Sequence, residues 1–273
     1  MDKTEPVEGV NGRSSEWQRG KVLGGSSSIN AMVYIRGQQQ DFNEWEALGN
    51  VGWGWDSVFE YFKKSETNSN GVNNWRGGDG PLHVCDVSKD LHPLCQNFIT
   101  AGEECGLAFN PDFNGEKQDG VGYYQNTLKN GIRMSSARAY LWPARKRSNV
   151  TVIKHALATR ILFKNKTAIG IEYKQRGKTT RVLASKEVIL SSGSINTPQL
   201  LNLSGVGDAV ALKNKNIEVI YDAPAVGQNM QDHLCIDFLY RSKVPTLNQQ
   251  LNPFWGKAWY SLKYILSRRG PLS

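Results

Sequence analysis

Residues 187–207 carry the stretch EVILSSGSINTPQLLNLSGVG, which decides the fold more than any other part of the sequence. It opens with the most continuously apolar run of its region, as is typical of a strand buried in a parallel sheet. Gly193 follows, and Pro198 fits the first turn of a helix that Ser204 and Gly205 terminate. A strand that ends in this way often lies beside a ligand at the carboxyl edge of a sheet. An ordinary strand-to-helix corner is the alternative.

The segments around this stretch mix β and α patterns in interleaved blocks. Short runs rich in Val, Ile and Tyr within residues 150–185 alternate like antiparallel hairpins. Apolar residues at helical spacing predict two helices within residues 41–66, with a break at GNVGWG, and another helix over 94–107. The Asn- and Gly-rich residues 67–81 predict an exposed loop. These patterns predict an α/β fold with α+β character, in which a parallel sheet is accompanied by an antiparallel β-layer.

The composition excludes several classes of protein. With 39% hydrophobic and 21% charged residues, the 273-residue chain is expected to be a soluble globular protein rather than a disordered one. No run approaches the roughly eighteen uncharged apolar residues of a membrane-spanning helix, and the N-terminus lacks the apolar region of a secretory signal. The net charge of +8 (33 − 25) is scattered and lies outside any nucleic-acid motif, so nucleic acid is not an expected partner.

The cysteines leave the redox state of the protein open. Four are present, which is too few for a disulfide scaffold, and no CxxC pair predicts a zinc site: Cys85, Cys95, Cys105 and Cys235. One disulfide among the first three and unpaired thiols are equally compatible with the sequence. No metal site is expected.

A second stretch that can carry chemistry is GKVLGGSSSIN, at residues 20–30. Gly24 and Gly25 permit a close approach of the backbone, and the amides that follow, at a helix start, can receive a phosphate. A flexible serine-rich turn is the alternative, and composition alone favours it. Other familiar motifs are absent from the sequence, because no GxGxxG, complete P-loop, GxSxG or HExxH occurs.

Taken together, the two stretches resemble the two signature segments of the glucose-methanol-choline (GMC) oxidoreductases, a family of FAD-dependent alcohol oxidases and dehydrogenases. Three further segments are similar to the same family: DFNEWEALGNVGWGWDSVFEYFKKSE, NGIRMSSARAYL and VGQNMQDHL. The resemblance runs from about residue 11 to the C-terminus, and it is greatest to the insect glucose dehydrogenase group.

The resemblance implies which residues contact FAD. In the family, the glycine-serine segment passes along the pyrophosphate and under the flavin ring, and its counterparts here are Val22, Gly24, Gly25, Ser26, Asn30, Ala31, Met32 and Val33. Ala158 corresponds to a residue on the adenine side, and Ser192 and Gly193 correspond to residues that close over the cofactor. Some relatives attach FAD covalently through a histidine. Because Ile29 occupies that position here, the resemblance implies non-covalent FAD.

The resemblance also implies how the chain divides into domains. Parts of the FAD-binding domain are expected at residues 1–52 and 141–230, a substrate-domain segment at 53–140, and the start of the substrate-binding domain at 231–273. A complete family member also has an N-terminal βαβ unit with GxGxxG and a C-terminal segment with the catalytic histidine. Neither occurs in this sequence, so it resembles a fragment, and no catalytic residue is assigned. The histidines that are present are expected to have packing or surface roles: His83, His92, His155 and His233.

The implied reaction of the full enzyme is the oxidation of an alcohol or sugar hydroxyl, with hydride transfer to the flavin and reoxidation by a quinone or oxygen. The protein positions the substrate, while the cofactor supplies the redox chemistry. The alternative is a truncated, non-catalytic remnant or interaction protein of the same family, which the missing GxGxxG favours for this chain as it stands. A full-length relative is expected to be extracellular.

Overall fold

The computed structural model describes residues 2–233 and 239–272, which divide into two compact units. Residues 1–150 together with 241–273 form the first unit, and residues 151–240 form the second. Each unit contains both helices and strands, so the predicted α/β class is confirmed.

The strands of the first unit are short and pair in twos. Their bounds are β1 Asp2–Lys3, β2 Glu16–Trp17, β3 Val33–Tyr34, β4 Glu66–Asn68, β5 Leu82–Val84, β6 Gln125–Asn126, β7 Leu128–Lys129 and β8 Ile132–Arg133. β1 with β2, β3 with β6, and β7 with β8 are antiparallel pairs, whereas β4 and β5 are parallel. Because such short ladders satisfy few backbone groups, loops and side chains have to bond the remainder.

Two of the helices of the first unit pack through aromatic rings. The helices are α1 Gln39–Ala47, α2 Trp55–Ser65, α3 Leu94–Glu104 and α4 Trp142–Ala144, with 3-10 helices at Glu8–Val10, Gly25–Ser28 and Ser88–Asp90 and a π-helix at Ala137–Leu141. The buried ring of Phe42 on α1 lies 5.8 Å from that of Trp55 and 5.6 Å from that of Phe62, both on α2. The two helices predicted around GNVGWG are therefore confirmed, and α3 is the helix predicted over 94–107.

A buried cluster of charged side chains connects distant segments of the first unit. Arg36 and Arg76 both bond the Glu66 carboxylate, and Arg76 Nε also donates to Asp112 Oδ2 at 2.8 Å. Asn68 Nδ2 donates to Glu66 Oε1 at 2.7 Å. The predicted exposed loop over 67–81 is wrong at Asn68 and Arg76, whose buried side chains both donate hydrogen bonds to Glu66.

The second unit is built on a three-stranded antiparallel sheet in the order β11-β10-β9. These strands are β9 Ala156–Lys164, β10 Thr167–Gln175 and β11 Lys178–Leu183, followed by α5 Gly193–Leu203, β12 Val206–Gly207, α6 Ala209–Asn214 and β13 Tyr221–Asp222. β12 and β13 form a short parallel pair, and the core contains Ile161, Leu200 and Leu212. The predicted antiparallel layer is confirmed, although its first strand begins at residue 156 instead of 150.

Residues 187–192 do not form the predicted parallel strand. They belong to no strand in the described part of the chain, and Ile189 is 76% exposed. A strand requires a hydrogen-bonded neighbour, and among the described strands the parallel ladders are only β4–β5 and β12–β13. The predicted position of Pro198 is also wrong. It is the sixth residue of α5, which starts at Gly193, whereas Ser204 ends the helix as predicted.

The part of the chain from residue 241 onward belongs to the first unit and forms α7 Leu247–Leu251 and α8 Phe254–Ser267. The Tyr264 hydroxyl on α8 donates to the Gly131 carbonyl at 2.9 Å. None of the helices in the described parts of the chain is long and apolar enough to cross a membrane.

The predicted domain boundaries at residues 52, 140 and 230 stay a prediction. Residues 234–238, near the start of the predicted segment 231–273, lie outside the described residues, and Cys235 is among them. The other three cysteines are free thiols: Cys85, Cys95 and Cys105.

Candidate functional site

The glycine loop, defined here as residues 20–30, turns sharply before its single turn of 3-10 helix. Gly24 and Gly25 have φ angles of 94° and 54°, in the left-handed region that favours glycine. The Gly25 N–H donates to the Val22 carbonyl at 2.8 Å and closes the turn. A Cβ at Gly20 would lie 2.2 Å from the Gly25 carbonyl oxygen, so two parts of the loop are in direct backbone contact.

The two central glycines face different surroundings. A Cβ built on Gly24 would lie 2.5 Å from Ser28 Oγ and 3.2 Å from Ala137 Cβ, so this residue faces inward. At Gly25, apart from its chain neighbours and the backbone of its own helical turn, no atom of the described residues lies within 4 Å of the same position. Val22 and Ser26 beside it are exposed. The outer face of the loop therefore leaves its backbone open to a close approach by a ligand, which fits the phosphates of a dinucleotide cofactor.

A serine of the NGIRMSSARAYL segment holds the inner side of the glycine loop. Ser136 N–H donates to Ser27 Oγ at 2.9 Å, and Ser136 Oγ donates to the Gly24 carbonyl at 3.1 Å. Ser27 Oγ in turn donates to the same Gly24 carbonyl at 2.5 Å. In the sequence this segment shows only a family likeness, and its contact with the glycine loop is not apparent there. The motif was visible in the sequence, but its spatial partner, about a hundred residues away, was not.

The C-terminal end of the loop leads into β3 through a side-chain turn. Asn30 Oδ1 accepts from the Met32 N–H at 3.1 Å, and this Asx-type contact accompanies a φ of 64° at Met32. The Met32 carbonyl accepts from the Thr127 N–H at 2.8 Å, and Val33 pairs with Asn126 in the β3–β6 ladder. The eight residues of this unit that are predicted to contact the cofactor therefore lie in one continuous segment, residues 22–33, which includes the exposed Ala31.

The remaining predicted site residues lie in the second unit. Ser192 and Gly193 stand at the start of α5, where the Ser192 N–H donates to Thr197 Oγ1 at 3.1 Å and Gly193 has a φ of 87°. Ala158 is half-buried on β9, opposite Tyr173 of β10. The convergence of these residues with the glycine loop on one cofactor stays a prediction.

Tyr34 and His83 are among the titratable groups of the first unit whose pKa values are shifted. Burial raises the pKa of the Tyr34 hydroxyl at the end of β3, while the neighbouring Arg36 acts in the opposite direction. Burial lowers the pKa of His83 on β5, and the charge of Lys129 adds to this, so His83 is mostly neutral at pH 7. Within the described residues, no group of three or more His, Cys, Asp or Glu is placed to hold a metal ion.

Comparison with known proteins identifies the family of this chain. A family model described as GMC oxidoreductase matches residues 5–235. The chain belongs to the GMC oxidoreductase family. The predicted family is thus confirmed, whereas the finer likeness to the glucose dehydrogenase group stays a prediction.

Two curated relatives match this GMC chain over nearly its whole length. The alcohol dehydrogenase (acceptor) of Pseudomonas putida is 46% identical over 275 residues, covering 99% of this chain and 50% of the relative. The oxygen-dependent choline dehydrogenase of Vibrio vulnificus is 44% identical over 270 residues, covering 98% of this chain and 48% of the relative. The chain therefore spans about half the length of the curated relatives it matches.

Solved structures of the family support the fold and the flavin. An FAD-dependent oxidoreductase from Chaetomium thermophilum matches 100% of this chain and 50% of its own chain, with a TM-score of 0.91 and 33% identity. Pyridoxine 4-oxidase from Mesorbium loti matches 81% of this chain and 44% of its own, with a TM-score of 0.77 and 31% identity. At the level of the GMC family, the predicted FAD cofactor is confirmed.

Proposed function

We propose that this GMC chain supplies flavin-contacting residues to an FAD-dependent oxidoreductase that oxidises the CH–OH group of a small alcohol or sugar. The names of the two curated relatives, an alcohol dehydrogenase and a choline dehydrogenase, support an alcohol as the substrate class. The first name specifies an acceptor and the second specifies oxygen, which supports reoxidation of the flavin by an external acceptor. We propose a quinone or oxygen in this role.

The open outer face of the glycine loop carries this proposal. The residues that would hold FAD are Val22, Gly24, Gly25, Ser26, Asn30, Ala31, Met32 and Val33 of the first unit, and Ala158, Ser192 and Gly193 of the second. When bound, the flavin supplies the hydride-accepting chemistry. The loop backbone would bind the anionic part of the cofactor, and Gly25 permits that approach because it has no side chain. Ile29 offers no nucleophilic atom at the position of the histidine in some relatives, which supports non-covalent attachment.

The second candidate function is that of a non-catalytic remnant. Exposed apolar surface on the second unit favours this alternative when residues 1–273 are expressed alone. Ile189 is 76% exposed, and an apolar cleft of about 440 Å³ is open beside it, lined among others by Ile161, Phe163, Val188, Leu190, Leu201 and Ile220. Apolar surface of this kind is normally covered in a stable protein. We therefore expect residues 1–273 alone to bind FAD weakly and to lack turnover.

The proposal is tested by comparing the protein expressed from its whole transcript with residues 1–273 expressed alone. The first is expected to bind FAD stoichiometrically and to reduce a dye with simple alcohols, glucose or choline, and the second to do neither. Failure of the whole-transcript protein to bind FAD would overturn the oxidoreductase proposal and support the remnant. Stoichiometric FAD with turnover in residues 1–273 would contradict the expected dependence on further sequence.

Two glycine variants test whether FAD binds at the glycine loop. Gly25 and Gly12 have similar φ angles, 54° and 68°, and both have open space at the Cβ position. Gly25→Ala in the whole-transcript protein is expected to weaken FAD binding by about tenfold or more, because its methyl group occupies the ligand's approach. Gly12→Ala, outside the loop, is the matched control and is expected to bind FAD like the wild type. Equal FAD affinities of the two variants would exclude the loop from the site.

A further inference from the structure

Arg133, the last residue of β8, holds the C-terminal end of the glycine loop through one nitrogen atom. Its Nη1 donates to the Asn30 carbonyl at 2.7 Å, to Asn30 Oδ1 at 2.7 Å and to the Ser27 carbonyl at 3.3 Å. The two carbonyls belong to residues on either side of the end of the 3-10 helix Gly25–Ser28. Charge-assisted bonds of this kind are stronger than neutral ones, so Arg133 is the main side-chain restraint on this end of the loop.

The contacts of Arg133 also determine which way the Asn30 amide is turned. Asn30 Oδ1 accepts from both Arg133 Nη1 and the Met32 N–H, and an NH2 group cannot accept either bond. The amide nitrogen Nδ2 must therefore point away from Arg133. Within the described part of the chain, no acceptor bonds Nδ2, and the Asn30 side chain is exposed. A donor is thus directed outward from the loop at a residue predicted to contact the cofactor.

The base of this arrangement is the β7–β8 hairpin. Arg133 pairs with Leu128 in the β7–β8 ladder, and the Leu128 side chain is buried. The neighbouring Thr127 N–H holds the Met32 carbonyl at 2.8 Å, so both ends of the Asn30–Met32 turn are attached to the same hairpin. Asn30 is therefore held from two sides by one supporting element.

We infer that Arg133 is a positioning residue, which fixes the Asn30 amide with its NH2 group presented to an acceptor atom of the bound cofactor. The inference rests on the proposed function, since it needs a ligand on the outer face of the loop. Arg133 itself points to the inner side of Asn30 and acts through it. Loss of Arg133 frees the amide to rotate, so that its oxygen and nitrogen compete for the outward position.

A double-mutant cycle on FAD affinity tests the inference in the protein expressed from its whole transcript. Arg133→Met and Asn30→Ala are each expected to raise the FAD dissociation constant by about tenfold or more, the usual effect of losing one well-placed hydrogen bond to a ligand. The double variant is expected to lose less affinity than the sum of the two single losses, because part of the Arg133 effect passes through the Asn30 side chain while its bonds to the Asn30 and Ser27 carbonyls act on the loop backbone. Arg145→Met, an exposed arginine of the same unit, is the matched control and is expected to bind FAD like the wild type.

A second variant separates the presented NH2 group from the shape of the loop. Asn30→Asp keeps an oxygen for Arg133 and Met32 but replaces the outward NH2 by an oxygen. Amide hydrogen exchange of residues 26–32 without FAD is expected to stay at the wild-type level, while FAD affinity falls and the flavin absorption band shifts. Wild-type FAD affinity of Asn30→Asp, or additive losses in the cycle, would overturn the positioning role. Absence of FAD binding by the wild-type protein would instead overturn the proposed function.

Discussion

Gly24 and Gly25 are neighbours with positive φ, yet they are glycines for different physical reasons. Gly24 is packed against Ser28 and Ala137, whereas Gly25 has open space around its Cβ position. The first is therefore required by the folded chain itself. At Gly25 the folded chain requires glycine only because of the positive φ angle. The space at its Cβ position is open to a ligand.

The free energy of unfolding should fall by different amounts in the alanine variants of the two glycines. Gly25→Ala is expected to lower the free energy of unfolding by about 1–2 kcal/mol, the cost of a left-handed alanine. Gly24→Ala is expected to cost at least about 1 kcal/mol more, because its methyl group also overpacks the inner side of the loop. Urea unfolding followed by tryptophan fluorescence measures both values. Equal losses would show that the contacts to Ser28 and Ala137 relax freely.

At the scale of elements, one buried serine joins the sheet and helix of the second unit. β9 is an edge strand of the order β11-β10-β9, so alternate N–H groups of β9 point away from the sheet. The Ile161 N–H is one of these, and it donates to Ser204 Oγ at 2.8 Å. Ser204, fully buried after the end of α5, in turn donates to the Leu200 carbonyl at 2.5 Å. The hydroxyl thus satisfies a strand donor and a helix acceptor together.

Ser204→Ala is expected to lower the free energy of unfolding by about 1–3 kcal/mol, because the Ile161 N–H stays buried without an acceptor. Ser194→Ala, at an exposed position of the same helix, is the control and should change stability by no more than about 0.5 kcal/mol. Both values come from denaturant unfolding monitored by circular dichroism. A loss at Ser204 no larger than that at Ser194 would mean that water replaces the hydroxyl.

At the scale of the whole molecule, the buried charges of the first unit connect segments that are far apart in sequence. Glu66 is fully buried and lies between Arg36 and Arg76, and Arg76 also reaches Asp112. Two positive and two negative side chains balance in this cluster. Removing one arginine leaves a carboxylate short of counter-charge in a poorly solvated place, which costs far more than the loss of an exposed ion pair.

Arg76→Met is expected to destabilise the first unit by about 3–5 kcal/mol, because Asp112 loses its arginine and Glu66 keeps only one. Lys3→Met breaks the exposed pair Lys3–Glu16, whose nitrogen and oxygen are 3.0 Å apart, and should cost no more than about 1 kcal/mol. Urea unfolding compares the two variants, and Arg76→Lys, which keeps the charge, should fall between them. A loss for Arg76→Met as small as for Lys3→Met would contradict a structural role of the cluster.

The sequence by itself determined the features that depend on near neighbours along the chain. Helical spacing around Trp45 and Val58 predicted α1 and α2, alternation within 150–183 predicted the antiparallel layer, and the two signature segments together predicted the family. These signals are local, because side-chain periodicity and glycine backbone angles act within a few residues.

Only the tertiary structure decided the features that need a distant partner. The apolar run 187–192 is predicted as a strand but belongs to none of the described strands, and Arg76 lies in a polar loop but is buried beside Glu66 and Asp112. Arg133 belongs to the NGIRMSSARAYL segment, and its bond to Asn30, 103 residues earlier in the chain, is visible only in the folded structure. The physical reason is the same in each case: hydrogen bonds and ion pairs are satisfied by proximity in space, which the order of residues does not encode at that distance.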